Sequence, residues 1–450
     1  MTTAMQDVRR IVHLAAPVLV GQLALVSFGV IDTVMAGRVS AADLAAVGLA
    51  SSIYVTIYIS LMGVLQALAP IAAQLYGANR LAEIGVEVRQ AAWLGAALAI
   101  PGILLLAFPA PLLHFAQASP ELVDKASHYL HLVAFGLPAA LAFRLYQALN
   151  NALSRPIMVT ALQLLGLALK VPLNAWFIHG GMGVPAMGGP GCALASTLIS
   201  YCWFVVGLLI LRFDRRYAPL GIFSTCEGPR WDRIRGLLRL GVPMGLTYLI
   251  EITSFTLMAV FITRLGLVTL AGHQIIANLG AVAYMLPLSL GIATSTLAAQ
   301  SIGAHDRAAA RRISWRGIRL AAGLAMITGT LLWFAREPLL HLYTTDPAVI
   351  AKALPLMAFI ACYQAFDAVQ VMSAFILRAY KIALIPTLIY ATSLWGVGLG
   401  GGYLLGFGLI PGAPAFTHGA GGFWLANSVS LGIAGALLVQ YFMRVSRDDR

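Results

Sequence analysis

Long apolar segments alternate with short polar ones along almost the whole chain. A helix needs roughly 20 mostly apolar residues to cross the hydrocarbon core of a bilayer, and twelve segments meet that requirement. They lie at 11–36, 45–75, 90–110, 128–150, 157–178, 190–211, 237–262, 270–299, 313–334, 350–376, 383–407 and 421–443. Segments two, eight and ten are long, so we expect them to tilt or to extend beyond the lipid. The pattern predicts an all-α polytopic membrane protein with about 12 transmembrane helices.

Composition agrees with this prediction. Hydrophobic residues make up 60% of the chain and charged residues only 10%, whereas an average soluble domain has about 25% charged residues. The net charge of +12 would suggest nucleic acid binding in a soluble protein. Here the basic residues stand in short loops between apolar segments, so we expect the lipid bilayer as partner and no nucleic acid.

The basic residues also predict the orientation. If the N-terminus is cytoplasmic, the cytoplasmic side holds 23 of the 29 Lys and Arg residues. The opposite side then holds five, and Lys170 lies within a span. Such an asymmetry in short loops follows the positive-inside rule, and the even helix count places both termini in the cytoplasm.

The two halves of the chain are related by an internal repeat. Shifting the sequence by 226 positions aligns it with itself without a gap over some 60 residues. We therefore predict two six-helix lobes of the same orientation, 1–225 and 226–450. Parallel repeats of this kind occur in secondary transporters, which bind substrate between the halves. The aligned pairs include Pro17 with Pro243, Arg38 with Arg264, and Gln74 with Gln300.

Three acidic residues lie well inside apolar spans: Asp32, Glu251 and Asp367. An Asp at the centre of a spanning helix costs roughly 2.5–3.5 kcal/mol on insertion scales, so each is expected to face a hydrated cavity or a bound cation. Such acids suit ion coupling, and Na⁺ and H⁺ would use the same carboxylates, so both ions stay open. The polar residues expected to support them are Asn174, Tyr363, Gln274 and Asn278.

Two basic residues within or near spans have no assigned role. For Lys170 we expect one of two roles: it pairs with an acid, or it packs within the bundle or extends its amine toward the interface. Arg144 is expected either to extend inward or to line the bundle. The sequence contains no ATP-binding motif and no clustered catalytic residues. We therefore expect no enzyme activity and no cofactor, and transport driven by an ion gradient.

Five segments carry a family resemblance. They lie at 17–80, with Phe28 to Gly37 and Gln74 to Ala78, and at 147–156, 172–174, 271–278 and 377–381. In this order along nearly the whole chain, they resemble the multidrug and toxic compound extrusion (MATE) family, in particular its NorM-like branch. The tyrosine-containing motif near residue 380 has Ala379 where the family has glycine, and Gly272 replaces an alanine before His273. Neither departure touches an acidic residue.

The resemblance implies a V-shaped pair of lobes and monomeric, Na⁺- or H⁺-coupled export of amphipathic, mostly cationic drugs across the bacterial inner membrane. Asp32 matches the first-helix acid, associated with substrate or proton binding. Glu251 and Asp367 match the acids of the cation site of the second lobe, where Na⁺ would bind. Asn174 matches the asparagine of a Pro-Leu-Asn motif, and Tyr363 and Gln274 match polar cavity residues.

One alternative from the same broad superfamily is a flippase for lipid-linked precursors. A pyrophosphate lipid would require several cations in the cavity, and only Lys170 and Arg144 are available against three acids. This balance favours cationic substrates.

Overall fold

The computed structural model describes residues 3–115, 119–181, 183–225, 227–412 and 414–448. Regular structure in these residues is almost entirely helical, and twelve helices are long and apolar enough to cross a membrane. This confirms the predicted fold class. The predicted lobe boundary adjoins Cys226, which lies outside the described residues. The helices α1 to α12 are Met5–Gly37, Ala41–Gly77, Leu81–Ala107, Pro120–Ala152, Pro156–His179, Gly191–Phe213, Trp231–Thr263, Leu267–Gly303, Arg307–Phe334, Leu356–Ala379, Leu384–Gly406 and Ala420–Arg447.

Helix lengths differ from the prediction at one place. Helix α8 contains 37 residues, which corresponds to about 55 Å at 1.5 Å per residue and exceeds the thickness of the hydrocarbon core. Helix α2 also covers 37 residues, but it is interrupted at Gln66 and Ala67. The expectation of a long tenth span is wrong, because α10 has only 24 residues. A separate short helix, Pro347–Ala353, precedes it, and Pro355, which has no amide hydrogen to continue a helix, stands at the N-cap of α10.

Helix α11 changes its winding in the middle. Its first turns are α-helical, Ala391–Gly400 form a π-helix, and Gly401–Gly406 return to α-helix. π-Helical segments are rare and occur frequently at functional sites. This segment follows Tyr390, which takes part in the acidic site described below.

The helices form two compact units. The N unit is Val20–Gly245, and the C unit combines Met1–Leu19 with Leu246–Arg450. The divisions fall within α1 and within α7, so the first turns of α1 belong to the C unit. The predicted lobe boundary between 225 and 226 stays a prediction.

A buried ionic contact holds the start of α1 in the C unit. Asp7 is buried, and its Oδ2 accepts hydrogen bonds from Arg312 Nε (3.2 Å) and from Arg316 on α9. One turn further on, Ile11 is fully buried in the core of the same unit.

Backbone conformations repeat in the two halves. Asn79 and His305 both adopt positive φ, at 58° and 61°, just beyond the ends of α2 and α8. Non-glycine residues rarely adopt this conformation, although Asn and His are enriched in it. His305 lies 226 positions after Asn79, which is the register of the sequence repeat.

The basic segment after α6 is held against α3 within the N unit. Arg89 on α3 donates to the carbonyl of Gly221 (2.7 Å) and pairs with Glu227 (3.1 Å). Arg233 pairs with Glu87 at 2.7 Å. At Gly85, a Cβ atom would overlap the carbonyl oxygen of Leu220, so the close approach of this segment requires glycine.

Candidate ion- and substrate-binding sites

The acid of the first helix lies in a buried ion pair. Asp32 is 8% exposed, and its Oδ1 is 2.8 Å from the amine nitrogen of Lys170 on α5. The same oxygen accepts a hydrogen bond of 2.7 Å from Nδ2 of Asn174. The structure therefore brings together two predicted site residues, Asp32 and Asn174, with a lysine whose role the sequence left open.

The helical spacing on α5 explains this geometry. Lys170 and Asn174 are four residues apart, so their side chains lie on one face of the helix. Lys170 is fully buried and also donates to the carbonyl oxygen of Cys192 (3.2 Å) and to the hydroxyl of Ser196 (2.5 Å) on α6. An ammonium group has three donors, and three acceptors surround this one.

An aromatic cluster packs beside the ion pair. Phe28 stands one turn before Asp32, and its ring centroid is 5.5 Å from the Lys170 amine. The Phe28 ring is 5.5 Å from Trp203, which stacks on Phe143 at 4.7 Å. These rings lower the local polarity around the pair, which strengthens its electrostatic attraction.

A cavity of ≈520 Å³ adjoins this cluster within the N unit. Trp93, Phe143, Trp203 and Phe223 contribute to its apolar lining, and the Arg89–Glu227 pair contributes its polar part. A volume of this size suits a small amphipathic molecule. Asp32 does not line the cavity.

Arg144, the second unassigned basic residue, is also engaged in the N unit. It donates to the hydroxyl of Tyr58 at 2.5 Å and to Oε1 of Gln147 at 2.7 Å. Its guanidinium group lies over the Tyr58 ring. Arg144 thus lines the bundle through polar contacts, as one of the two sequence interpretations expects.

The other two acids occupy one region of the C unit. Asp367 on α10 is 5% exposed, and Glu251 on α7 is half-buried. The two carboxylates are close enough to repel one another electrostatically. Oδ2 of Asp367 is buried and has no hydrogen-bond partner among the described residues. A buried carboxylate oxygen in this state is costly unless a cation or a proton neutralises the group.

Polar side chains from α10 and α11 surround Glu251. Arg378 and Tyr390 lie close enough to its carboxylate to interact with it. Arg378 is buried, donates to the hydroxyl of Tyr248 at 3.2 Å, and lies over the Phe375 ring. The predicted spans left Arg378 in the loop between segments ten and eleven, whereas the structure places it in the last turn of α10 as a buried cation.

Further unpaired polar atoms lie on the same face of α10. Tyr363, Gln364 and Gln370 are three or four residues from Asp367 and therefore share its side of the helix. Nε2 of Gln364 and both amide atoms of Gln370 are buried and lack a geometrically well-formed hydrogen bond to any described residue. Tyr363 is buried, and its ring packs edge-on against Phe255 and Trp424. Tyr363 lies one turn from Asp367, and its role as a supporting polar residue stays a prediction.

Sequence reasoning missed His273 and Trp424, which belong to the same part of the C unit. Both are buried, their rings are 5.8 Å apart, and His273 Nδ1 and Trp424 Nε1 have no partner in the described part of the chain. His273 stood within a matching run of the sequence, next to the predicted Gln274. The signal available for both was a polar atom inside an apolar span.

The two predicted residues on α8 are not part of this cluster. Gln274 and Asn278 are four residues apart, and both are exposed. Oδ1 of Asn278 accepts a hydrogen bond of 3.1 Å from the hydroxyl of Tyr343. Their predicted role as supporting polar residues stays a prediction.

Among the described residues, no group of three or more His, Cys, Asp or Glu side chains is arranged to hold a metal ion. The donors near Asp367 are carboxylate, amide and hydroxyl oxygens. Oxygen donors suit hard cations, so the chemistry of this region fits Na⁺ or a proton.

Comparison with known proteins identifies the family. The MatE family model matches residues 17–176 and 243–404, and the second match begins 226 positions after the first. A probable multidrug resistance protein NorM from Aromatoleum aromaticum is 42% identical over 97% of this chain and 94% of its own length. The multidrug resistance protein NorM from Vibrio vulnificus strain YJ016 is 34% identical over 96% of this chain and 94% of its own length.

Solved structures show the same fold. The eukaryotic MATE transporter AtDTX14 superposes with a TM-score of 0.89 at 17% identity and covers 99% of both chains. The Vibrio cholerae MATE transporter VcmN in its bent form superposes with a TM-score of 0.88 at 16% identity, over 100% of this chain and 99% of its own. With a family model that matches both halves and NorM relatives that match nearly end to end, this chain belongs to the MATE family.

Proposed function

We propose that this chain is a multidrug efflux antiporter of the bacterial inner membrane, acting as a monomer. It exports amphipathic, mostly cationic compounds in exchange for inward movement of Na⁺ or H⁺, by alternating access. The relatives named as multidrug resistance proteins support the substrate class. These names describe drug-resistance proteins rather than enzymes, in agreement with the prediction that the chain is not an enzyme.

The observation that carries the proposal is the pair of acids in the C unit. The buried Oδ2 of Asp367 finds no partner among described residues, while Glu251 is half-buried and interacts with Arg378. Two ionised carboxylates and one guanidinium leave a net charge of −1. A single monovalent cation or proton would neutralise the region.

Ion movement can then drive export. A cation that enters this region from outside and leaves to the cytoplasm gains roughly 2.3 kcal/mol per 100 mV of membrane potential for each charge that crosses. Asp367 and Glu251 would hold the ion. Tyr363 and Gln364 lie beside Asp367 and would supply further oxygen donors. Exchange requires that ion and drug occupy the protein in alternation.

The flippase alternative is weaker in the N unit. A pyrophosphate headgroup needs cations that are free to bind phosphate. Lys170 is bound to Asp32, and Arg144 is bound to Tyr58 and Gln147. The two cations that the alternative requires are therefore already engaged.

The test uses purified protein in liposomes loaded with a fluorescent cationic dye. A Na⁺ gradient and a pH gradient are imposed separately, with the membrane potential clamped to zero. Dye movement against its gradient under either ion supports the proposal and identifies the coupling ion. If neither gradient moves the dye in wild-type protein, coupled export is refuted, and translocation of a labelled lipid-linked pyrophosphate is measured next.

A further inference from the structure

The N unit places a buried lysine amine directly against the acid of the first helix. Lys170 is fully buried and is 2.8 Å from Asp32. The two residues stand on different helices and form an isolated pair of opposite charges. The pair is therefore neutral without any bound ion.

The surroundings of Asp32 contain no second basic group among the described residues. The other titratable side chains that interact with it are Tyr129 on α4 and Cys192 on α6. Burial favours the uncharged forms of both a phenol and a thiol. In the part of the chain that the structure describes, Lys170 is therefore the group that balances the charge of Asp32.

The amine of Lys170 is fixed in place by three acceptors from two helices. Besides Asp32, it donates to Cys192 and Ser196 on α6. Removing one partner of a buried ion pair leaves an uncompensated charge, which is strongly unfavourable. If Lys170 were absent, the Asp32 carboxylate would have to take up a proton or a cation.

We propose that Lys170 is a tethered counter-cation that takes the place of a coupling ion at Asp32, so that coupling ions bind only in the C unit. This rests on the proposed antiport function. Lys170 acts here as a positioning residue that determines how many ions are exchanged. It changes the role that the family resemblance implied for Asp32, because this carboxylate already has a cation of the protein as its partner.

The first test reads the protonation state of Asp32 in purified protein. In Lys170→Met, the Asp32 carboxylate should take up either a proton or a Na⁺ ion. Protonation adds a carboxylic-acid carbonyl stretch to the infrared spectrum. Na⁺ binding raises the number of Na⁺ ions per protein by one in a radioactive Na⁺ binding assay. Both signals should vanish in Asp32→Asn/Lys170→Met. This double variant is neutral and close in shape to the native pair, so it also controls for folding.

A matched control is available in the same unit. Lys125 pairs with buried Asp43 at 3.2 Å, but its side chain is 29% exposed, and Asp43 also accepts from Ser40 and from the amide of Gly189. Water and these donors remain when the lysine is removed. Lys125→Met should therefore add neither signal. If Lys170→Met also adds neither, the inference is wrong.

The second test measures stoichiometry during transport. Liposomes are brought to the state in which a fixed ion gradient balances the dye gradient and net flux is zero. With one more coupled ion in Lys170→Met, a tenfold ion gradient should sustain a dye gradient about tenfold larger than in wild type, because each coupled ion adds its own driving force. The double variant should return to the wild-type ratio.

The outcomes separate the two proposals. If wild-type protein builds no dye gradient with either ion, the antiport function fails, and the infrared and Na⁺ binding data alone decide the role of Lys170. If wild-type protein builds a gradient and Lys170→Met balances at the same ratio, the counter-cation role fails while the antiport function stands.

Discussion

Replacing Asp367 with Asn should make the protein more stable and less active at the same time. The carboxylate is 5% exposed, and its Oδ2 has no hydrogen-bond partner in the described residues. Nearby Glu251 carries a like charge. In the absence of a coupling ion, the native fold therefore contains a buried, poorly compensated carboxylate, and Asp367→Asn removes it with little change in shape.

The magnitude follows from these contacts. Leaving a buried polar group unsatisfied costs about 1–3 kcal/mol, and more for a charged group. Asp367→Asn should recover about 1–2 kcal/mol of unfolding free energy in buffer without Na⁺, since the new amide is only partly satisfied. Bound Na⁺ should stabilise the wild type in turn, by about 2.7 kcal/mol at 100 times its dissociation constant. Asp367→Asn should lack this stabilisation by Na⁺.

The assay is thermal unfolding of purified protein in detergent, followed by tryptophan fluorescence at one scan rate. Wild type and Asp367→Asn are compared in NaCl and in choline chloride of equal ionic strength. We expect the variant to have the higher midpoint in choline, and only the wild type to gain from Na⁺. Asp124→Asn changes an exposed carboxylate and serves as control. It should behave as wild type in both salts.

One result would refute the reasoning. If Asp367→Asn unfolds at a lower temperature than wild type in choline and still gains from Na⁺, the carboxylate makes stabilising native contacts and the ion binds elsewhere. If neither protein responds to Na⁺, the same comparison in choline across neutral pH tests the proton as coupling ion. Dye efflux driven by either ion should be abolished in the variant.

Three further predictions concern other contacts. Glu251→Gln should raise the concentration of the driving ion needed for half-maximal efflux about tenfold, which corresponds to about 1.4 kcal/mol. The exposed control Glu121→Gln should leave this concentration unchanged. If Glu251→Gln also leaves it unchanged, Glu251 has a structural role. Asp7→Asn should lower the unfolding free energy by about 1–3 kcal/mol. This is less than the loss of a fully buried pair, because Arg312 and Arg316 are partly exposed. An unchanged thermal unfolding midpoint would show that the start of α1 does not depend on these contacts. Gly85→Ala should lower the unfolding free energy by about 1–3 kcal/mol, because the new methyl group overpacks against Leu220. In the control Gly236→Ala, the added Cβ meets no atom within 4 Å, so stability should change little. Similar unfolding midpoints for the two variants would refute the close approach at Gly85.

The sequence predicted the helices well because each one has to satisfy its backbone alone in the bilayer. Length and apolar composition therefore reveal a spanning helix without knowledge of its neighbours. The tenth span was the exception. Apolar residues on both sides of Pro355 make one continuous run, but the missing amide hydrogen divides it into two helices.

The partners of the acids could not be predicted in the same way. Asp32 and Asn174 are separated by 142 residues, so their contact depends on how α1 packs against α5 and not on local pattern. The spacing of Lys170 and Asn174 on one helix face was visible, but not which acid that face meets. Arg378 was difficult to predict for a local reason. A basic residue at the end of an apolar run has the pattern of a loop residue, and only the structure shows that α10 extends past it.

Charge balance links the two sites to one mechanism. In the N unit, Asp32 and Lys170 form a neutral pair that needs no ion. In the C unit, Glu251 and Asp367 are accompanied by the buried guanidinium of Arg378. Net charge in a low-dielectric interior is costly, so the C unit binds a cation most strongly when both acids are ionised. The Asp32–Lys170 pair is neutral, whereas the two acids and the guanidinium of the C-unit site leave a net charge of −1. One monovalent ion per cycle should therefore bind near Asp367, and removing the charge of Lys170 should add a second ion at Asp32.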